Sequence, residues 1–342
     1  MVKVGLLALA LSFAQTQPVQ PPGQADLTVA ASGDFLIHTP VAARALALGG
    51  GSNYNFAPLF NRVKRHIADA DLALCHIETP LVPGAVMGYP SFRTPPELAR
   101  SVKKVGWDVC STASNHTLDA GQYGIGTTLR ALDRAGLPHS GSARSAAERR
   151  RIPIVDVNGL KIAFLAYTSI SNGQLVPHPW SVSWAGPGPI LRDARRARAR
   201  GADMVIVNLH WGAEYVHDVT ADQAKLADTL TKSPAIDAIV GQHAHVVQPI
   251  RKVNGKPVVF GEGNLVSNQT AACCPAASQY GLIALIDFEL GGERPRLRRI
   301  RYVPTWVSHP DYSVVPAQPG TAAWNSTVGV AGRRPGIKPV RP

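Results

Sequence analysis

Short apolar runs alternate along this chain with longer stretches in which apolar residues recur at helical spacing. The runs "ADLTVAASGDFLIH", "ADLALCHIE", "GWDVCSTASNH", "ADMVIVNLH" and "AIDAIVGQH" read as strands, and "GLIALIDFEL" and "RLRRIRYVPTWV" close the series. Between them, "PPELARSVKK" is a helix opened by proline, and "GQYGIGTTLRALDRAGLPHSG" is an amphipathic helix stopped by Gly136 and Pro138. "ILRDARRARARG" and "ADQAKLADTLTK" are further helices, each feeding a buried strand. Asn158-Gly159 and Asn254-Gly255 sit between apolar runs as two-residue hairpin turns. Helix–strand alternation interrupted by hairpins predicts an α/β fold with mixed rather than purely parallel sheets.

The two ends break the rhythm. Lys3 precedes the apolar run "VGLLALALSFA", and Ser12 and Ala14 are small residues suited to a cleavage site. Residues 1–14 therefore read as a secretory signal peptide, too short for a convincing membrane span. Residues 15–27 read as a Pro/Gln-rich linker, 28–312 as one domain, and 313–342 as a poorly ordered tail without periodicity. The mature protein is expected outside the cell or associated with its surface.

Composition adds two points. A hydrophobic share of 45% with 17% charged residues is that of a folded globular protein. The net charge of +12 would attract an anionic polymer or a small anionic substrate. No nucleic-acid-binding module accompanies it, so no nucleic-acid partner is expected. Arg192, Arg195, Arg196 and Arg200 share one broad helical face, either a solvated surface or a contact for a polyanion. Cys75, Cys110, Cys273 and Cys274 lack zinc-ribbon spacing. Export opens a bridge to Cys75 and Cys110, but buried free thiols are the preferred reading of that pair.

The chemistry lies where the strands stop. Asp34, Glu78, Asn115-His116, His210, His243 and His245 each follow an apolar run. Any one of them alone would be an ordinary structural residue. Brought to one sheet edge, carboxylate, amide and imidazole make a coordination shell suited to Zn, Mn or Fe(II).

"SGDFLIH", "ADLALCHIETPL", "GWDVCSTASNHTLDAG", "LHWGAEY", "IVGQHAHVVQPI" and "GEGNLV" resemble, in order, the motifs of the CapA/PgsA capsule-synthesis proteins. The resemblance runs from about Val29 to Val307. It implies the calcineurin-like metallophosphoesterase fold, with layered mixed β-sheets flanked by helices. It also implies two divalent transition-metal ions (Mn, Zn or Fe), work on poly-γ-glutamate, and a membrane-bound capsule synthase complex as a partner. Position by position it implies Asp34 and His245 on the first ion, Glu78 bridging, and Asn115, His210 and His243 on the second. His116 becomes the general acid, and Asp119 either fixes its tautomer or caps the next helix. His38 is a further candidate ligand, and Arg93 and Asn264 are candidate substrate contacts. Gln242 and Ala244 depart from the family's usual residues and are the expected places for altered specificity. His76, in "LCHIE", also departs, with no role assigned. Three functions fit: a metal-dependent capsule enzyme, a secreted phosphoesterase unrelated to capsule, and a non-catalytic assembly protein that kept a metal.

Overall fold

The computed structural model describes residues 27–292 and 294–341. The signal peptide expected over 1–14 lies outside the described residues, as does the linker except Leu27, which opens the first strand. Among the described residues, no helix is long and apolar enough to cross a membrane.

The strands in chain order are β1 (Leu27–Phe35), β2 (Leu72–Ile77), β3 (Val109–Ser111), β4 (His139–Ser140), β5 (Ile154–Val157), β6 (Leu160–Thr168), β7 (Met204–His210) and β8 (Ala238–Gln242). There follow β9 (Ile250–Val253), β10 (Lys256–Val259), β11 (Asn264–Val266), β12 (Tyr280–Glu289), β13 (Arg296–Val307), β14 (Val314–Pro316) and β15 (Ile337–Pro339). They form two mixed sheets: β14-β13-β12-β1-β2-β3-β4, with β11 on β1 and β15 on β13, and β5-β6-β7-β8-β10-β9. Both expected hairpins are present. Asn158 and Gly159 (φ 54° and 86°) join antiparallel β5 and β6, and Asn254 and Gly255 (φ 48° and 79°) join β9 and β10.

Strand alternation explains the layering. Leu72 and Leu74 of β2, Met204 and Ile206 of β7, and Ala238 and Val240 of β8 meet in one core between the sheets. Ala73, Cys75 and Ile77 face a second core with the helices Thr39–Leu48, Glu97–Val105 and Gly121–Ala135. Val205, Val207 and Leu209 face a third core with the helices Pro187–Ala199 and Ala221–Lys232. The order is helix, sheet, sheet, helix, and each buried Leu, Ile or Val contributes about 1.5–3 kcal/mol. The inward rows Leu72-Leu74, Met204-Ile206 and Ala238-Val240 continue at the same spacing into His76 and Glu78, Asn208 and His210, and Gln242. The polar site is therefore the end of the inter-sheet core.

Two expectations need correction. Within residues 313–342, expected to be a poorly ordered tail, the chain forms β14 and β15 on β13 and a helix, Ala322–Ala331. Pro319-Gly320-Thr321 punctuates the chain as the start of that helix, whose Thr321 hydroxyl accepts from the Trp324 amide. Cys75 and Cys110 are not free thiols but a disulfide: β2 and β3 are parallel neighbours that place them in register, Cα to Cα 4.5 Å. Cys273 and Cys274 are free.

Candidate metal centre

Backbone constraints fix the loops that carry the site. A Cβ on Gly33 would lie 1.9 Å from the Gly263 carbonyl oxygen, so only glycine lets β1 pass that close and deliver Asp34. A Cβ on Gly241 would meet the Phe260 carbonyl oxygen at 2.1 Å. Just beyond, His243 and His245 adopt φ of 92° and 54°. Left-handed backbone at side-chain-bearing residues costs on the order of 1–3 kcal/mol and clusters at functional sites.

Two groups of ligand atoms result, Asp34 with His76 and His210, and Asp34 with Glu78 and His245, each lying within 4.8 Å of one another. His245 Nδ1 is 3.2 Å from Asp34 Oδ2, and its Nε2 is 3.6 Å from Glu78 Oε1. His210 Nε2 is 2.9 Å from Asn115 Oδ1, and its ring lies 4.6 Å from that of His243. All six expected ligands therefore gather where strands of both sheets end, and all are buried. Asp34 Oδ1, both Glu78 carboxylate oxygens and His243 Nδ1 are buried without a hydrogen-bond partner in the described structure. Unpaired buried acceptors of that kind are costly unless a cation satisfies them. The donor set of carboxylate, amide and imidazole suits a divalent transition metal.

Burial, reinforced by neighbouring imidazoles, drives His210 well below its ordinary range; burial takes His243 down to about 3 and His76 to about 4. These rings are neutral at physiological pH, the form in which imidazole binds metal. His245 behaves oppositely: burial lowers it, but the Glu78 and Asp34 carboxylates outweigh that and hold it at about 10. Burial also pushes Glu78 up. The Glu78–His245 pair thus keeps a proton at neutral pH that a bound cation must displace. Metal binding at pH 7 is expected to release about one proton from this group. Calorimetry in buffers of different ionisation enthalpy measures it, and metal affinity should rise as pH increases from 6 towards 9. Uptake without proton release would show that His245 is not a ligand.

His116 stands opposite these groups. Its Nδ1 donates to Asp119 Oδ2 at 2.7 Å, leaving Nε2 free. Asp119 also accepts from the Phe92 amide at 2.7 Å and from Gln174 Nε2 at 2.8 Å. It caps no helix, since the helix Gly121–Ala135 starts after Ala120 without a side-chain cap. A cavity of about 500 Å³, lined by His116, His245, His38, Phe92 and Tyr215 among others, opens over the centre.

Other candidates fall elsewhere. His38 lines the cavity, but its Nδ1 is 3.1 Å from the Leu36 carbonyl and accepts from the Asn268 amide at 3.2 Å, and the ring joins neither ligand group. Arg93 is exposed, pairs through its backbone with Met87, and lies outside the cavity lining. Asn264 is fully buried behind His245: its Oδ1 accepts from His245 Nδ1 at 2.9 Å and its Nδ2 donates to Gln269 and Ser278. It therefore positions His245 rather than touching substrate. Gln242 points into the core, bonded to Asn208 and to Glu262, and buried Ala244 accepts from the Tyr215 amide. Neither lines the cavity, so neither controls specificity by contact.

His76 is the residue that sequence reasoning left without a role. Its Nε2 lies 3.0 Å from His210 Nδ1 and 3.7 Å from Asp34 Oδ1. The ring centroids are 5.0 Å apart at 26°, the separation of two imidazoles meeting edge to edge through one hydrogen bond. Its signal was parity with Glu78, which follows β2 at the end of the same inward row. Asn172 also went unnoticed; it accepts from Asn115 Nδ2 at 3.1 Å.

Residues 28–269 match the family model described as "Bacterial capsule synthesis protein PGA_cap". The capsule biosynthesis protein CapA of Bacillus anthracis is 26% identical over 282 residues, covering 78% of this chain and 67% of that protein. The PGA biosynthesis protein CapA of Bacillus subtilis is 32% identical over 183 residues, 52% of this chain and 47% of that protein. Among solved structures, the calcineurin-like phosphoesterase YfkN from Bacillus subtilis aligns with TM-score 0.50 at 16% identity, over 90% of this chain and 96% of that one. At that identity the likeness establishes the fold, which is calcineurin-like.

Proposed function

The chain belongs to the PGA_cap family of bacterial capsule synthesis proteins, and on that premise we propose that it is an exported metal-dependent hydrolase or transferase acting on poly-γ-glutamate during capsule synthesis, attachment or processing. The observation that carries this reading is the set of orphaned buried acceptors at Asp34, Glu78 and His243 beneath an open cavity faced by His116. A retained structural metal would need no open side. The Cys75–Cys110 disulfide suits the oxidising compartment that export implies.

Asp34, Glu78 and His245 would hold one ion and Asn115, His210 and His243 a second. Divalent Mn, Zn or Fe bound there would supply Lewis-acid charge for the scissile carbonyl or phosphoryl oxygen and would acidify an attacking water. Asn264 keeps the Nδ1–H of His245 occupied, so Nε2 is the nitrogen left to face Glu78. His76 does the same for His210 by accepting from Nδ1–H, which directs Nε2 towards Asn115. Asp119 holds His116 with Nε2 towards the cavity, placed to protonate a departing amine or alkoxide.

Incubation of the purified chain with γ-linked polyglutamate and Mn²⁺ or Zn²⁺ tests the proposal. Chain shortening or transfer abolished by chelator is expected. Rapid cleavage of simple phosphate esters with an untouched polymer would replace it by a phosphoesterase unrelated to capsule.

A further inference from the structure

Beside the metal centre lies a second concavity, of about 630 Å³, between the helix Pro187–Ala199 and the loop 169–186. Its walls carry Trp180, Trp184, Arg149, Arg150, Arg192 and Arg196. Asp193 is the acidic residue in the lining and is shared by Arg149 at 3.1 Å and Arg196 at 2.9 Å, so the groove stays strongly positive. Arg150 and Arg192 are exposed at its rim. The His178 ring stacks on Trp180 at 4.4 Å, and Trp180 Nε1 is buried without a hydrogen-bond partner among the described residues.

The loop that builds this groove also reaches the metal centre. Asn172 touches Asn115 and Gln174 touches Asp119, while Trp180 and Trp184 line the groove. Trp184 pairs with Thr168, and Thr168 pairs with His210. Two strand spacings separate their backbones, so the groove wall begins about 10 Å from His210.

We propose that this groove is a docking subsite for a carboxylate-bearing polymer strand, which it holds while a neighbouring part of the same strand lies over the metal centre. This rests on the polyglutamate reading above. A γ-linked glutamyl chain carries its methylenes in the backbone and one pendant carboxylate per residue. The indole rings offer apolar surface to the methylenes, and the exposed guanidinium forks of Arg150 and Arg192 take carboxylates two oxygens at a time. The helical arginine face noted in the sequence thus divides: Arg192 and Arg196 line the groove, while Arg195 and Arg200 do not.

The test is calorimetric binding of γ-linked polyglutamate to the full metal-loaded chain, with melting temperature and metal content as controls. Arg150→Ala/Arg192→Ala is expected to weaken binding about tenfold or more. Trp180→Ala should weaken it too. Arg195→Ala/Arg200→Ala removes the same charge from outside the groove lining and should leave affinity within about twofold. Equal losses in both double variants would reduce the effect to diffuse charge and overturn the subsite. So would absence of polymer binding by the unmutated chain, or tighter binding of a nucleic acid of matched length. Groove-dependent binding without turnover would leave the subsite standing and reject the enzymatic reading; turnover with binding unchanged in Arg150→Ala/Arg192→Ala would do the reverse.

Discussion

His210→Ala is expected to cost the protein one of its bound ions and to lower turnover by about a hundredfold or more. The ring is fully buried and meets Asn115, His76 and His243, so under the proposed assignment its loss removes a ligand and strands the hydrogen-bond partners Asn115 and His76. Residues that merely orient a metal ligand are worth about 10–100-fold in affinity or activity, and a direct ligand should exceed that. His76 supplies the graded comparison. His76→Leu should fall within the 10–100-fold range, and His76→Gln, whose amide oxygen reaches a similar point, should recover much of it. Elemental analysis and metal titration read both variants. Unchanged metal content and unchanged activity in His210→Ala would remove the site assignment.

The second large effect is expected at His116 and depends on the leaving group. His116→Ala should slow substrates with a poorly acidic leaving group by about 10²–10⁴-fold, because a positioned acid contributes that much. Substrates whose leaving group departs without protonation should be nearly unaffected. Asp119→Asn should lie between, since it weakens the 2.7 Å contact that fixes the ring while keeping the ring itself. A series of esters or amides of graded leaving-group acidity checks this. A uniform loss across the series would make His116 a binding or structural residue, not the acid.

Much of this centre was legible because strand alternation carries apolar positions inwards until the strand ends, and Asp34, Glu78, His210 and His243 stand at those ends. His76 was not, because β2 is buried on both faces and "LALCHI" shows no polar-apolar alternation to single out an inward histidine. Glu262 was hidden for another reason: "GEGNL" reads as a loop, whereas its carboxylate is buried and receives Gln242 Nε2 at 2.7 Å. Asn172 and Gln174 come from a loop without periodicity, which carries no directional signal. Direction also misled at Asn264 and Gln242. Both are near the centre in sequence terms, yet both are buried: Asn264 stands behind the cavity-lining His245, and Gln242 bonds to Asn208 and Glu262. Which way a side chain faces beyond a strand end depends on the loop's φ values, such as the 92° at His243, and sequence pattern does not encode them.

The most direct measurement is a crystal structure of the Mn²⁺-loaded protein with anomalous scattering collected at the metal edge. Two peaks are expected, one among Asp34, Glu78 and His245 and one among Asn115, His210 and His243, with Glu78 between them. A metal-saturated, active protein with no peak at these residues would contradict the assignment of this centre.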